Sequence, residues 1–259
     1  MQSRLFALLT LFFLPLMGAA QVTYRLGRLD AVGGGLGLGA ALTGWVLSVQ
    51  ADGYTGPLPL DPGTVNRFDR FATRRWSPDW IAASDYASTM TIGSCVLALA
   101  APKVRSEVVT LGVMAAETGL WLYGLNASTK ALSLRPRPFL YDDQAPLDEQ
   151  RKDDARFSFY SMHTSLSAGA AFFTAKVLHD MHPGARWRKW VWAGAAIVPL
   201  GVGMMRIAAG KHFPTDVLVG YGVGAGMGLL VPHLHKVRPA QAQWQLTPSP
   251  GGIGLVLNF

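Results

Sequence analysis

A single cysteine, Cys95, excludes an intramolecular disulfide as a brace for the fold. Charged side chains are scarce: they make up 15% of the chain, against about 25% in an ordinary soluble domain. Metal-ligand spacing is missing too, because His179, His182, His233 and His235 stand at the ends of apolar runs beside basic residues and read as interfacial or solvated. No composition shift or internal linker divides the 259 residues, which read as one domain. The chain also lacks any recognisable nucleic-acid module. Its formal charge of +7 and pI near 9.8 come from cations spread around helix ends, a pattern suited to anionic headgroups rather than to nucleic acid.

What the chain does have is apolar residues, 50% of the total, and 29 glycines. The apolar runs predict an all-α bundle of about six core helices, over 33–49, 86–101, 108–130, 162–178, 190–205 and 215–231. Their glycine and alanine content suits close packing within lipid. Trp187, Trp190 and Trp192 flank one run as an interfacial belt does. Several runs fall short of the ~20 residues of a spanning helix, so a buried soluble bundle is the competing expectation. Arg4, the apolar stretch 5–17 and Gly18-Ala19-Ala20 have the anatomy of a signal peptide or anchor. The expected division is therefore leader 1–20, helical domain 21–238 and tail 239–259. In that tail, turn residues between two alternating runs suggest a small hairpin.

Two connections are polar. Residues 51–85 hold Asn66-Arg67-Phe68-Asp69-Arg70-Phe71 and suggest a short amphipathic surface helix. Residues 139–160 hold six carboxylates, from Asp142 to Asp154, interleaved with Arg151, Lys152 and Arg156, which reads as a solvated loop or lid rather than a metal site.

Three short stretches carry chemistry: Lys130-x6-Arg137-Pro138, Ser161-Met162-His163, and Arg206-x5-His212-x3-Asp216. Displacement at phosphorus is mostly positioning and charge stabilisation. Without a metal or other cofactor, three fixed cations can hold the phosphate oxygens, and arginine's planar fork suits them. A pair of histidines can divide the tasks of nucleophile and proton donor, with a carboxylate to hold the tautomer of one. Pro214 and Asp216 predict a helix start. Ser161 likewise opens an apolar run whose free N–H groups would face an anion. Arg135, beside the first stretch, reads as surface charge or a headgroup contact.

The three stretches resemble the signature of the type 2 phosphatidic acid phosphatase and vanadium haloperoxidase superfamily, K-x6-R-P, P-S-G-H and S-R-x5-H-x3-D. The resemblance covers residues 60–236. Tyr160 replaces the proline of the second motif, Met162 its glycine, and Met205 the leading serine of the third. By this resemblance His212 is the nucleophile that forms a phosphohistidine, Asp216 orients it, and His163 protonates the leaving group. Lys130, Arg137, Ser161 and Arg206 bind phosphate, and no metal or cofactor is implied. A side chain at Met162 is expected to narrow the pocket or shift its backbone.

The expected function is a membrane-bound phosphatase acting on a lipid-linked phosphomonoester or diphosphate. The alternatives are vanadate-dependent haloperoxidase chemistry and a non-catalytic protein that binds phosphorylated lipid. Lys103, Arg105, Arg186, Arg188, Lys189, Lys236 and Arg238 flank one common side, which the positive-inside rule calls cytoplasmic. The motifs then face the periplasm of a bacterial-type envelope. A cleaved leader followed by a spanning first helix would reverse this, so the glycine-rich segment 33–49 is expected not to cross fully.

Overall fold

The computed structural model describes residues 23–50, 54–102, 104–237, 243–249 and 252–258. The leader expected at 1–20 and the cations Lys103 and Arg238 lie outside them. Six long helices form the bundle: α1 Arg28–Val49, α2 Pro78–Leu99, α3 Val108–Ser133, α5 Met162–Met181, α6 Arg188–Ala208 and α7 Pro214–His235. A one-turn helix, α4 Leu147–Gln150, sits in the loop between α3 and α5. The tail pairs β1 Gln243–Ser249 with β2 Gly252–Asn258 as an antiparallel hairpin, Gln243 opposite Asn258.

Local signals fix the helix ends. α2 starts eight residues before the expected Tyr86, because Ser77 caps it by accepting from Trp80 N–H, Pro78 stands in the first turn and Asp79 meets the dipole. α3 stops where Leu134 turns left-handed at φ 43°, with Pro136 and Pro138 beyond. Pro214 opens α7, and Asp216 reaches back to accept Phe213 N–H at 2.8 Å.

α5 is the central helix, in contact with α2, α3, α6 and α7, while α1 packs on α3. The α5–α7 pair meets backbone to backbone. A Cβ on Gly220 would lie 2.6 Å from Ser161 O, one on Gly224 2.2 Å from Ser165 O, and one on Gly228 2.5 Å from Gly169 O. This four-residue glycine stripe lets the two helices approach closely. Among the described residues four helices, α1, α3, α6 and α7, are long and apolar enough to cross a membrane. Leu36, Leu42 and Trp45 of α1 and Ile197 and Met204 of α6 are exposed, as lipid-facing side chains should be. The molecule is an all-α membrane bundle. α5 keeps buried Ser and Thr residues because its neighbours, rather than lipid, surround it.

Segment 33–49 belongs to one unbroken helix, α1, which runs beside α3 from Gly33 at Glu117, through Gly37 at Trp121, to Gly44 at Ala127 and is long and apolar enough to cross a membrane. Two expectations are corrected. The stretch 66–71 is not an amphipathic helix on the surface. It folds through a turn into a 3₁₀ helix, Arg70–Arg74, with Asp69, Ala72 and Thr73 fully buried. His235 is buried rather than interfacial, with Nε2 3.4 Å from Glu117 Oε2.

Hydrophobic packing marks the two ends. Tyr24, Val104, Leu111, Met114, Phe173, Val177 and Val231 form a core at the end where α3 begins. There Glu107 binds the N–H groups of Thr23 and Tyr24 at 2.8 and 2.9 Å. At the opposite end Phe139, Leu140, Ala145 and Ala155, backed by Trp76 and Tyr141, form a separate small core that fixes the loops over the bundle mouth.

Candidate active site

The mouth is where α3 ends and α5 and α7 begin. It gathers Lys130, Arg137, His163, Arg206, His212 and Asp216 from three distant stretches. His212 follows Gly210, whose φ of +72° and position against Arg75 O, 1.8 Å from a built Cβ, admit only glycine. That turn buries His212 to 1% exposure. Its Nδ1 lies 2.7 Å from Ser158 O. A carbonyl can only accept, so Nδ1 carries the proton and Nε2 keeps its lone pair. Arg137 Nη1 stands 3.5 Å from Nε2. Burial first, then Arg137, Arg206 and Lys130, hold the His212 imidazole well below its ordinary pKa of 6.5.

Asp216 departs from the expected arrangement. Its Oδ2 lies 3.7 Å from His212 Nδ1, beyond hydrogen-bond distance, and instead accepts Ser158 Oγ at 2.6 Å and Phe213 N–H. Ser158 is the link between the two: its carbonyl holds the histidine tautomer and its hydroxyl binds the aspartate. Arg135 is likewise no surface charge. It donates to Asp216 Oδ1 at 2.5 Å and to Asp69 Oδ2 at 2.8 Å, and stacks 4.2 Å from the Phe213 ring centre. Asp69 also accepts from Thr215 N–H at 3.0 Å, Thr215 Oγ1 at 2.6 Å and Asn66 Nδ2 at 2.8 Å. Burial pushes this carboxyl upward, but its hydrogen bonds from Thr215, Arg135 and Asn66 hold it below the usual range.

Each arginine of the motifs is oriented by a carboxylate. Arg137 is 5% exposed and donates through Nε to Asp154 O and through Nη2 to Asp154 Oδ2, both at 2.9 Å, and through Nη1 to Lys211 O at 3.1 Å. Arg206, also 5% exposed, donates to Ser84 Oγ at 3.0 Å and Asp85 Oδ1 at 2.9 Å. The same Asp85 oxygen lies 3.0 Å from His163 Nε2. Burial, then Arg206, lowers the His163 pKa from 6.5 to about 4, with Asp85 opposing. Lys130, in the last turn of α3, is close enough to Arg137, Asp154 and Arg206 to feel their charges. The segment expected to be a solvated loop or lid grips the site through Asp154, and through Glu149 on Lys211 at 3.1 Å.

Ser161 stands at the start of α5, two residues before His163. Its hydroxyl caps α5, accepting from Thr164 Oγ1 at 3.0 Å and Thr164 N–H at 3.5 Å, and is fully buried. The cap leaves the first N–H groups of α5, at Met162 and His163, at the mouth. Met162 is half-buried, and the backbone before it is pinned by Asn126 Nδ2 to Tyr160 O at 2.7 Å and by Ser161 N–H to Asp216 O at 3.0 Å.

Sequence reasoning missed Ser84, Asp85, Asp69 and Ser158 and misjudged Arg135. Only Arg135 left a trace, as a second arginine two residues before Arg137 in a proline-stiffened turn.

Over 87 residues the chain is 36% identical to phospholipid phosphatase 1 of Rattus norvegicus, a match covering 32% of this chain and 31% of that protein. The chain thus matches about a third of the length of this curated relative. A solved transmembrane PAP2 type phosphatidylglycerolphosphate phosphatase from Bacillus subtilis aligns over 88% of this chain and 94% of its own, at 20% identity and a TM-score of 0.40. The family described as the PAP2 superfamily matches residues 106–240, more than half of the chain and all three motifs. The chain belongs to the PAP2 superfamily.

Proposed function

We propose that this protein is a phosphoric-ester hydrolase that removes phosphate from a lipid-linked phosphomonoester or diphosphate through a phosphohistidine. The observation that carries the reading is His212: buried, with its proton held on Nδ1 by Ser158 O and an unprotonated Nε2 set among three cations, 3.5 Å from Arg137 Nη1. Nε2 attacks phosphorus and the phosphorus–oxygen bond to the lipid breaks. His163 gives its proton to the departing oxygen. Water then attacks the phosphohistidine, His163 takes back a proton, and orthophosphate leaves with His212 restored. The anionic substrate offsets the cations that lower the His163 pKa, so binding itself favours the protonated acid. Arg137, Arg206 and Lys130 stabilise the charge on the phosphorane oxygens, aided by the α5 N-terminus. Asp216 acts through Ser158 rather than directly.

A lipid substrate is supported by an apolar groove of about 170 Å³ lined by Ile92, Cys95, Val96, Leu122, Leu166 and Phe173. It starts at Leu166, one turn past His163, between α2 and α3. An acyl or prenyl chain lying there would leave its phosphate at the mouth.

Orientation follows from charge. We propose that the end bearing Arg105, Arg186, Arg188 and Lys236 is cytoplasmic and the site periplasmic. Thr23 and Tyr24 lie at that basic end, so this orientation requires the leader to be retained. A mature terminus at Gln21, found by N-terminal sequencing, would reverse it. Purified protein should release orthophosphate from lipid phosphates without added metal, and labelled substrate should leave phosphate on His212. Full turnover by His212→Ala would remove His212 as nucleophile.

A further inference from the structure

Asp85 lies outside all three motifs, yet α2 delivers it to their centre. One oxygen, Oδ1, takes Arg206 Nη1 at 2.9 Å and His163 Nε2 at 3.0 Å. Arg206 is 5% exposed whereas the Asp85 side chain is 51% exposed, so the carboxylate covers the cation from the open side. Besides Asp85, the charged groups acting on His163 and Arg206 are Lys130 on α3 and Arg137 and Asp154 from the loops. A phosphate that binds Arg206, and a leaving oxygen that takes the His163 proton, need the two donors that this carboxylate holds.

We propose that Asp85 is a displaceable internal anion, which substrate phosphate must push off Arg206 and His163, and which thereby selects dianionic phosphomonoesters over monoanionic diesters. Displacement costs two charge-assisted hydrogen bonds. A dianion recovers more of that cost from three cations than a monoanion does, and the displaced carboxylate stays close enough to oppose both. The half-exposed side chain has solvent on one side, so it can swing away without unpacking the helix. The selectivity rests on the phosphatase reading above, whereas the effect on anion affinity does not.

The test is calorimetric binding of orthophosphate to the purified full chain in detergent at neutral pH, with wild type, Asp85→Asn, Asp85→Ala and Asp79→Asn. Asp79 is an exposed carboxylate in the first turn of the same helix and serves as the charge control. Both Asp85 variants should bind orthophosphate about tenfold tighter, a gain of about 1.4 kcal/mol, and Asp79→Asn should not differ from wild type. Equal or weaker binding in both Asp85 variants overturns the proposal, as does equal tightening in Asp79→Asn. Turnover of a lipid phosphomonoester and a matched diester supplies the second readout. Asp85→Asn should lower KM for the monoester and narrow the monoester-to-diester ratio of kcat/KM. A fall in kcat with orthophosphate affinity unchanged would assign Asp85 to holding His163 and also overturn the proposal. Tighter orthophosphate binding with no turnover in wild type would sink the phosphatase reading and leave the displaced anion standing.

Discussion

The two ends of the bundle carry similar side chains and use them in opposite ways. At the far end Lys176 and Lys236 share Asp180, with Lys236 41% exposed, and Arg188 rests on the carbonyls of His179 and Ala185. At the mouth Arg137 and Arg206 are almost wholly buried, and each is oriented by a carboxylate and a second acceptor. The far-end difference lies in the cations, since Lys236 keeps access to water while the Asp180 it shares with Lys176 is 2% exposed, and screening limits what the exposed partner contributes. Buried cations cost much unless paired, and are kept where a developing charge must be met by fixed donors. The mouth is thus ordered by its ion pairs together with the small core around Phe139, and the far end by the larger hydrophobic core beneath Tyr24 and Phe173.

The sharpest way to break this comparison is at His212. His212→Ala should lower kcat by roughly 10³-fold or more, while Lys236→Ala at the far end should leave lipid-phosphate turnover near wild type. Comparable losses in both would mean that the mouth is not the reactive end. Next is Arg135→Ala, which removes the bridge between Asp69 and Asp216 without touching the His212 ring. Its expected cost is about 10²-fold in kcat with little change in KM, and Arg135→Lys should not restore it, since one ammonium cannot span both carboxylates. A rise in KM alone would place Arg135 in substrate binding.

Smaller effects sharpen the contrast. Met162→Gly should change kcat/KM only a few-fold, about 1 kcal/mol, because Asn126 and Asp216 already fix the backbone before it. A large gain would show that the side chain narrows the pocket. The smallest effect concerns pH. The His163 pKa falls from 6.5 to about 4 on folding, so the unfolded chain binds more protons between those values. Stability linked to this group is full above 6.5 and is lost as pH falls toward 4. The melting temperature of His163→Gln should therefore fall less than that of wild type between those limits, and parallel curves would remove this linkage.

Residue order made much of the site legible. Lys130, Arg137, His163, Arg206, His212 and Asp216 could be chosen because chemistry at phosphorus demands those side-chain types. Ser77-Pro78 and Phe213-Pro214-Thr215-Asp216 carry helix starts in local backbone preferences, and at the first the cap outweighs the apolar run that begins only at Tyr86. Ser158, Asp69 and Asp85 left no such signal. Their roles depend on a carbonyl, a buried turn and a helix flank meeting the motifs from 54, 146 and 121 residues away in sequence. Ser161 adds a second role to the one its type suggests: at the start of α5 its oxygen also caps the helix, accepting from Thr164.

The sequence by itself determined which side chains are candidates for chemistry at phosphorus, the helical membrane bundle and its glycine-rich packing, because side-chain chemistry and apolar runs are local properties. Tertiary structure alone decided which atom holds the His212 proton, that Arg135 ties Asp216 to Asp69, that α1 runs the length of α3, and that Asp85 covers Arg206. Each of these is a contact between segments far apart in the chain, fixed when packing forces buried charges to find their partners.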